Sequence, residues 1–322
     1  MRKGSSKPVR RRLAAAVAGL GLAWAAAPAS AAPAAIIIDD KDVFPESLTA
    51  TRAGDLIIGS SAKGAIYRAR AGASTAKLWI DPSASNIAAL LGVFADDRSH
   101  TLYACSVARG AAPDKADGLS ALRTFDLETG AAKAAYPLPG GAKALCNDIA
   151  VAANGTAYVS ETLGGRILRL KAGASGLEVW LADPALAGVD GIAMGGDGAV
   201  YVNTVSTGRM FRVAVSPNGA AGALTELQPS VKLGGPDGLR SIGGLRFLQA
   251  ENREGRVSVV TVSGDKATVA ALKTGEPWVT SAVLTKSGVW AINAKFGYQR
   301  DPALKDQDPN PFTVERLGPL PR

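Results

Sequence analysis

A recurring strand–turn–strand pattern is the feature that most constrains the fold of this chain. Its clearest copy runs over residues 145–170, where Asn154-Gly155 separates two apolar runs. Asn-Gly in that setting predicts a β-hairpin whose two turn residues both adopt positive φ. The copies can be aligned on the central large residue of the second predicted strand. The six anchors are spaced by 46, 55, 43, 46 and 43 residues and are Ile57, Tyr103, Tyr158, Tyr201, Phe247 and Trp290.

Six units of this length predict an all-β fold, a six-bladed β-propeller with four strands in each blade. Third strands are predicted after each anchor, as at 166–170, and outer strands follow, as at 77–80 and 178–181. The sixth unit lacks an outer strand at its C-terminal end. Residues 36–38 can supply it, which would close the ring and leave no open sheet edge. A β-sandwich is the alternative, but six regular four-strand units favour the propeller over it.

Residues 1–31 have the pattern of a secretory signal peptide. A head with six basic residues precedes an apolar run from Leu13 to Ala26, and Ala29-Ser30-Ala31 is a small-residue cleavage signature. The alternative, a membrane anchor, needs a longer apolar run, and no later segment is long and apolar enough to span. The sequence therefore predicts an exported protein, periplasmic or secreted, with one domain over residues 32–322. Whether export uses the general or the twin-arginine route is left open.

The basic character of the chain belongs mostly to this signal. The chain has 36 basic and 28 acidic residues, and removal of the six basic residues of the signal leaves a net charge of +2. This balance gives no indication of nucleic-acid binding or of an anionic membrane surface as a partner. The expected partner is a small-molecule substrate, without a membrane anchor, and the oligomeric state is not determined by the sequence.

Two cysteines remain in a compartment that permits disulfides, Cys105 and Cys146. On the predicted strands they lie toward the same end of adjacent units. Either a disulfide or two buried free thiols fits the sequence. Neither a Cys-x-x-Cys motif nor a histidine cluster occurs, so a structural zinc site is not favoured.

Candidate ligands occur at equivalent positions of the predicted first strands, which line the central channel of a propeller. Counting 11 residues back from the anchors, or 10 in one unit, gives Gly92, Val279 and four residues with oxygen-bearing side chains: Glu46, Asn147, Asp190 and Asp237. Such oxygens are preferred by hard cations such as Ca²⁺. Three carboxylates in a narrow channel without a cation would also repel one another. The alternative is that each residue only forms a turn.

These strand openings resemble those of the gluconolactonase family, which includes regucalcin (senescence marker protein) and luciferin-regenerating enzyme and is related to the paraoxonases. The matching motifs are Phe44-Pro45-Glu46, Asn147-Asp148, Asp190-Gly191-Ile192-Ala193 and Pro236-Asp237-Gly238-Leu239. The resemblance covers residues 36–320. It implies a six-bladed propeller with a divalent metal in the channel, most commonly Ca²⁺, with Mg²⁺, Mn²⁺ or Zn²⁺ as alternatives.

Carried over by position, the resemblance implies that Glu46, Asp190 and Asp237 bind the metal and that Asn147 contacts metal or substrate. Two positions depart from the family pattern. Asp190 stands where the family usually has Asn, and Leu145 stands where sugar-lactone enzymes often carry Arg. A sugar-acid lactone is therefore not the expected substrate.

The leading hypothesis is an exported, metal-dependent hydrolase of lactones or related esters, in which Asp237 acts as general base. The alternative is a non-catalytic propeller that binds a small molecule or a protein. Asn203 and Lys295 follow second strands and are predicted to contact substrate at the channel mouth, between loops 106–119 and 293–311. The single histidine, His100, is predicted in a turn at the opposite end, and the side chain of Asp148 is expected to point away from that of Asn147.

Overall fold

The computed structural model describes residues 1, 4, 33–85, 87–107, 120–140 and 143–320. Almost all regular structure in these ranges is β, and none of the helices found there has the length and hydrophobicity of a membrane span. The predicted signal peptide lies outside the described residues except for Met1 and Gly4. Most of the predicted loop 106–119 lies outside them as well. Both therefore stay predictions, as does the domain boundary at residue 32.

The described strands are numbered in chain order. They are β1 (Ala35–Ile38), β2 (Pro45–Ala50), β3 (Leu56–Ser60), β4 (Ile66–Ala69), β5 (Thr75–Ile80), β6 (Ala89–Asp96), β7 (Thr101–Val107), β8 (Ala121–Asp126), β9 (Ala132–Pro137), β10 (Cys146–Val151), β11 (Ala157–Glu161), β12 (Arg166–Leu170), β13 (Glu178–Ala182), β14 (Val189–Met194), β15 (Val200–Thr204), β16 (Arg209–Val215), β17 (Ala221–Glu226), β18 (Gln228–Pro229), β19 (Pro236–Ser241), β20 (Arg246–Glu251), β21 (Arg256–Ser263), β22 (Lys266–Lys273), β23 (Val279–Thr285), β24 (Gly288–Asn293) and β25 (Thr313–Gly318). Short helices are α1 (Pro82–Ser85), a 3-10 helix (Pro184–Leu186) and α2 (Gly297–Arg300).

The strands form antiparallel meanders, called units 1 to 6 here. Units 1 to 5 are β2–β5, β6–β9, β10–β13, β14–β17 and β19–β22, with β18 added beside β22. Unit 6 is β23–β25, and β1 pairs antiparallel with β25 so that Ile36 lies opposite Val314. Because β1 also runs parallel to β5, units 6 and 1 belong to one sheet. The all-β class and the four-stranded units agree with the sequence analysis, and each anchor lies on the second strand of its unit.

Neighbouring units are held together by apolar cores. The first strand of each unit packs beside the first strand of the next, and β23 of unit 6 packs beside β2 of unit 1. The core between units 6 and 1 contains Tyr67, Trp290 and Phe312. Trp180 lies in the core between units 3 and 4, and Trp79 packs against the core between units 1 and 2. This packing brings the starts of six first strands close together, which positions the site described below.

The hairpin predicted around Asn154-Gly155 is present between β10 and β11, but its turn differs from the prediction. Among the two turn residues only Gly155 has positive φ, at 82°. The Asn154 side chain instead accepts a hydrogen bond from the Thr156 N–H at 3.0 Å. Ala152 accepts a bond from the Gly155 N–H and donates its own N–H to the Thr156 carbonyl. This is the wider hairpin connection in which a turn precedes a left-handed glycine.

Cys105 and Cys146 form a disulfide between β7 and β10, with an S–S distance of 2.03 Å and a Cα–Cα distance of 5.1 Å. Both residues are fully buried in the core between units 2 and 3. The bond therefore links the second strand of one unit to the first strand of the next. Its position directly precedes Asn147, so it also fixes the start of one site strand.

Replacing both cysteines by alanine should lower the free energy of unfolding by about 4 kcal/mol, because a bridge across this span restricts the unfolded chain. Urea unfolding of the wild type and the double variant, each with and without reductant, measures the difference. The reductant should destabilise only the wild type. Equal unfolding midpoints for the oxidised wild type and the variant would contradict a stabilising bridge.

Candidate functional site

Every first strand loses regular pairing with its second strand at the same point near its start. One or two residues there are left out of the ladder, as in a β-bulge. The residue after the last paired one is, in chain order, Glu46, Leu91, Asn147, Asp190, Asp237 and Thr280. The predicted equivalents Gly92 and Val279 are therefore wrong by one residue each. A fixed count along the sequence cannot detect a bulge.

The Asp-Gly pairs of the motifs lie inside strands, where neighbouring backbones approach closely. A Cβ atom on Gly191 would lie 2.2 Å from the Asp237 carbonyl oxygen, and one on Gly238 would lie 2.6 Å from the Thr280 carbonyl oxygen. Side-chain carbons do not approach backbone oxygens so closely, so only glycine fits at these positions. The interpretation of these pairs as turn formers is therefore wrong. They allow bulged strands to pack around a narrow space.

The bulges open on a small cavity that all four predicted ligands line, together with Thr280. Its volume is about 10 Å³, close to the space that one water molecule needs. Glu46 is 7% exposed, and Asn147, Asp190 and Asp237 are each 6% exposed. The structure thus brings together residues that lie up to 191 positions apart in the sequence.

Two asparagines hold two of the carboxylates, those of Asp190 and Asp237, in place. Asn147 Nδ2 donates to Asp190 Oδ2 at 3.0 Å and to Thr162 Oγ1 at 2.9 Å. Asn252 Nδ2 donates to Asp237 Oδ2 at 2.9 Å. Asp190 Oδ1 is buried and has no hydrogen-bond partner among the described residues, and the same holds for Thr280 Oγ1. A buried carboxylate oxygen without a donor is costly, so the cavity offers an acceptor for a cation or a donor group.

Burial and mutual repulsion raise the pKa values of the cluster. Burial, followed by the negative charges of Asp237 and Asp148, raises the pKa of Glu46 well above its ordinary value. Burial and the charges of Asp237 and Glu46 do the same for the pKa of Asp190. Burial raises the pKa of Asp237 from 3.8 to about 7, although the hydrogen bond from Asn252 opposes the shift. The ion-free cluster therefore favours bound protons near neutral pH.

A buried ion pair that the sequence analysis did not predict also borders the cavity. Arg240 Nη1 donates to Asp148 Oδ2 at 2.6 Å, and its side chain and that of Asp148 are 8% and 3% exposed. Arg240 Nη2 donates to Ser47 Oγ and to the Val93 carbonyl, both at 3.2 Å. The guanidinium thus contacts the first strands of units 1, 2 and 3 from its own position in unit 5. Arg240 thus supplies a positive charge beside the carboxylates of the cavity.

The expectation that the side chain of Asp148 points away from that of Asn147 is wrong. The bulge in β10 breaks the alternation of side chains, so Asn147 and Asp148 both line the cavity. Asp148 Oδ2 additionally accepts the Ile192 N–H at 3.2 Å. An arginine in a predicted channel strand, Arg240 between Leu239 and Ser241, is the sequence signal that could have located this pair.

The two residues predicted to contact substrate at the mouth, Asn203 and Lys295, form hydrogen bonds within the fold. Asn203 is fully buried; its amide accepts the Gly191 N–H at 2.9 Å and donates to the Asp237 carbonyl at 2.8 Å. Lys295 Nζ donates to the carbonyls of Pro309 and Pro311 at 2.6 and 2.9 Å. Asn203 therefore braces two bulges, and Lys295 holds the loop 293–311. A substrate-binding role for either residue stays a prediction.

The acidic residues that end two second strands, Glu161 of β11 and Glu251 of β20, are fully buried. They form ion pairs with Arg166 and Arg256, each at 2.7 Å. His100 is in the predicted turn between β6 and β7, at the opposite end of the sheet from the cavity. It is not placed to act as a base there.

The donor set fits a hard cation in chemistry, because it offers carboxylate and amide oxygens, an unpartnered buried oxygen and raised carboxyl pKa values. The fit in geometry is incomplete. Within the part of the chain that the structure describes, no three His, Cys, Asp or Glu side chains form a group that could hold a metal ion as placed. The carboxylates share a cavity without sharing a coordination sphere.

Comparison with known proteins places the fold. No protein-family model matches the sequence, and no curated protein matches it either. Among solved structures, a gluconolactonase from Xanthomonas campestris has 17% sequence identity and a TM-score of 0.59, over 79% of this chain and 84% of that one. Luciferin-regenerating enzyme has 12% identity and a TM-score of 0.61, over 85% and 91%. The Malassezia sympodialis allergen Mala s 1 has 14% identity and a TM-score of 0.63, over 88% and 96%.

These similarities define the class of the protein. The chain has a β-propeller-type fold, like gluconolactonase and luciferin-regenerating enzyme. The resemblance found in the strand openings is thereby confirmed for the fold. Identities below one fifth carry the fold alone, so the activity has to be argued from the site.

Without divalent ions, the free energy of unfolding should decrease as the pH rises from about 4 to about 7. The carboxyls of the cluster titrate near 4 when unfolded, whereas the Asp237 pKa is about 7 in the folded protein. The folded state therefore binds more protons than the unfolded state in this window, and raising the pH favours unfolding. Asp237→Asn should match the wild type near pH 4 and exceed it near pH 8. Urea titrations in chelator measure both curves.

Asp55 serves as a control, because its pKa is shifted in the opposite direction from that of Asp237. Burial raises the pKa of Asp55, but the Ala71 N–H, Arg68 and Arg70 outweigh this and lower it below its ordinary value. Asp55 therefore stabilises the fold above the unfolded pKa, and this stability is lost as the pH falls. Asp55→Asn should be less stable than the wild type at pH 7, with the difference shrinking on acidification. Parallel curves for the wild type and Asp237→Asn would rule out a perturbed Asp237.

Proposed function

We propose that the protein is an exported, metal-dependent hydrolase of a lactone or related ester. The observation that carries this proposal is the convergence of Glu46, Asn147, Asp190 and Asp237 on one cavity from equivalent bulges of four first strands. Four separate segments have to meet for this arrangement, and packing alone gives no reason to bury three carboxylates together. The fold similarity to a gluconolactonase supports the reaction class.

The cation proposed for the cavity is Ca²⁺, with Mg²⁺, Mn²⁺ and Zn²⁺ as alternatives. Glu46, Asp190 and Asp237 would hold it through carboxylate oxygens, and Asn147 through its amide oxygen. Binding requires the three carboxyl groups to lose their protons and all four side chains to move into one coordination sphere. When bound, the cation supplies a Lewis acid for the ester carbonyl and for the charge that develops on its oxygen.

The residues of the chain account for the proton transfers. Asn252 donates to Asp237 Oδ2 and the Gly238 N–H also donates to this carboxylate, which fixes its position, and Oδ1 would accept a proton from the attacking water. The water oxygen bonds to the carbonyl carbon, and the ring C–O bond breaks. The proton held on Asp237 then passes to the leaving alkoxide oxygen, which gives a hydroxy acid.

A non-catalytic binding propeller is the second candidate. It is favoured by the observation that no three acidic, His or Cys side chains among the described residues are placed to hold a metal ion. A binder would retain a ligand or an ion at the same cavity without turnover. A panel of lactones and esters, assayed with each of the four metals, separates the two candidates.

The proposal includes a six-bladed ring closed by β1 and export of the mature chain. Pairing of β1 with β25 and contact between β23 and β2 support closure. The Cys105–Cys146 disulfide supports an oxidising compartment, periplasmic or extracellular.

An intact mass of the exported protein should correspond to a chain that begins near Ala32. A mass that still includes Met1 would exclude cleavage at this position.

Asp237→Ala should reduce metal affinity by at least about tenfold, since even indirect metal contacts are worth that much. Hydrolysis should fall by at least about 100-fold through loss of the base. The thermal stabilisation produced by the metal should shrink in parallel, because an ion that binds only the folded state stabilises it by mass action. Calorimetric titration, melting curves and turnover measure the three effects.

Two further variants separate the roles of Asp237. Asp237→Asn keeps an oxygen ligand without a base, so it should lose turnover while retaining more metal affinity than the alanine variant. Glu128→Ala removes an exposed carboxylate of the turn between β8 and β9 and should behave as the wild type. Metal binding by Asp237→Ala equal to that of the wild type would exclude the four-residue site.

A further inference from the structure

An exposed arginine lies at the rim of the channel mouth, on the Asp237 side. Arg300 ends α2 in the loop 293–311 and is exposed. Its guanidinium carbon lies 4.7 Å from the ring centre of Phe296 and 5.3 Å from that of Trp278. It has no hydrogen-bond or ion-pair partner among the residues that the structure describes. Stacking holds the guanidinium in place while its donors stay free.

The segment that carries Arg300 is fixed to the rest of the fold. Lys295 binds the carbonyls of Pro309 and Pro311, which ties the two ends of the loop together. Gly297 packs directly on the indole of Trp278, where a Cβ atom would lie 2.9 Å from Nε1. Trp278 and Lys295 have positive φ values of 72° and 52°. Such values are uncommon for residues other than glycine and persist where the surroundings impose them, often at ligand sites.

A short chain of contacts connects this rim to the cavity. The Trp278 N–H donates to the Asn252 carbonyl at 2.7 Å. The Asn252 side chain donates to Asp237 Oδ2 at 2.9 Å. The positive charge of Arg300 is also close enough to oppose the rise in the pKa of Asp237. Arg300 is therefore placed above the proposed base, across one tryptophan and one asparagine.

We propose that Arg300 binds a carboxylate of the substrate, so that the substrate class is a lactone that carries a carboxylate group. This inference rests on the proposed function for the reaction, although the recognition itself can be tested without turnover. A planar guanidinium held by aromatic rings presents two parallel donors in the geometry that a carboxylate accepts. Arg300 is a specificity-determining residue in this arrangement, and it touches no reacting atom.

The charges of the site place the carboxylate at the rim. The cavity holds Glu46, Asp148, Asp190 and Asp237 against Arg240 alone, a net charge of −3 when all are ionised. A substrate anion inside it would be repelled. At the rim the same anion meets Arg300, which has no described acidic partner. The lactone carbonyl can then face the proposed metal and Asp237 while its carboxylate stays outside the cluster.

The test compares a five-membered lactone that bears a ring carboxylate with the matching carboxamide. In the wild type with Ca²⁺, the carboxylate should have the higher kcat/KM. In Arg300→Gln, the KM of the carboxylate should rise about 10- to 100-fold with kcat nearly unchanged, as expected for loss of a charged hydrogen bond. The carboxamide should change less than about twofold. Arg300→Lys should restore part of the loss. Arg246→Gln, at the exposed opposite end of β20, is the matched control and should leave both substrates unaffected.

Cyclopentanecarboxylate and cyclopentanecarboxamide contain no ester bond, so calorimetric titrations with them separate recognition from lactone hydrolysis. Binding of the carboxylate that Arg300→Gln weakens, without hydrolysis of either lactone, supports the role of Arg300 and contradicts the hydrolase proposal. Hydrolysis of both lactones at equal rates, unaffected by Arg300→Gln, overturns the role of Arg300 and leaves the hydrolase proposal standing. Equal weakening of carboxylate and carboxamide by Arg300→Gln indicates damage to the rim and also overturns it.

Discussion

Four acidic side chains are buried around the axis where the first strands meet, and the rest of the site depends on how their charge is compensated. Moving a carboxylate out of water costs several kcal/mol even after relaxation. Arg240 compensates one of the four through its bond to Asp148, and hydrogen bonds from Asn147 and Asn252 stabilise two others in part. The remaining cost appears as raised pKa values of Glu46, Asp190 and Asp237. An arrangement this unfavourable without a partner is expected where function requires it.

The repeat made the fold accessible from the sequence, because alternating apolar runs and turn residues report the local period directly. All six anchors, the third strands and the pairing of residues near Ile36 with the last unit follow from that signal. The four predicted ligands, all of which line the cavity, were found because repeated units place equivalent positions together. A single sequence does not normally indicate which distant residues meet in the fold. Here the repeat indicated it, because equivalent positions of repeated units lie together.

The parts that the sequence analysis missed depend on contacts between units. A bulge changes which face a side chain occupies, so Thr280 and Asp148 could not be placed by counting. The partners of Arg240 lie in three other units, and no local pattern encodes them. Asn203 was expected at the mouth because it follows the apolar part of β15, yet it fills the neighbouring bulge instead. In each case a tertiary contact decided the position of a polar side chain.

The same fold serves proteins with different names, so the composition of the cavity has to carry the specificity of this one. Asp190 is central to that composition. Its Oδ2 is bound by Asn147, whereas its Oδ1 has no donor, so it adds a charge that the protein itself does not compensate. With all groups ionised, a divalent cation would reduce the net charge of the cavity from −3 to −1. Under the proposed function, the repulsion that destabilises the ion-free protein is therefore also what strengthens cation binding. The carboxylate of Asp190 therefore lowers the stability of the ion-free protein and raises its affinity for a cation. An asparagine at position 190 would have both effects to a smaller extent.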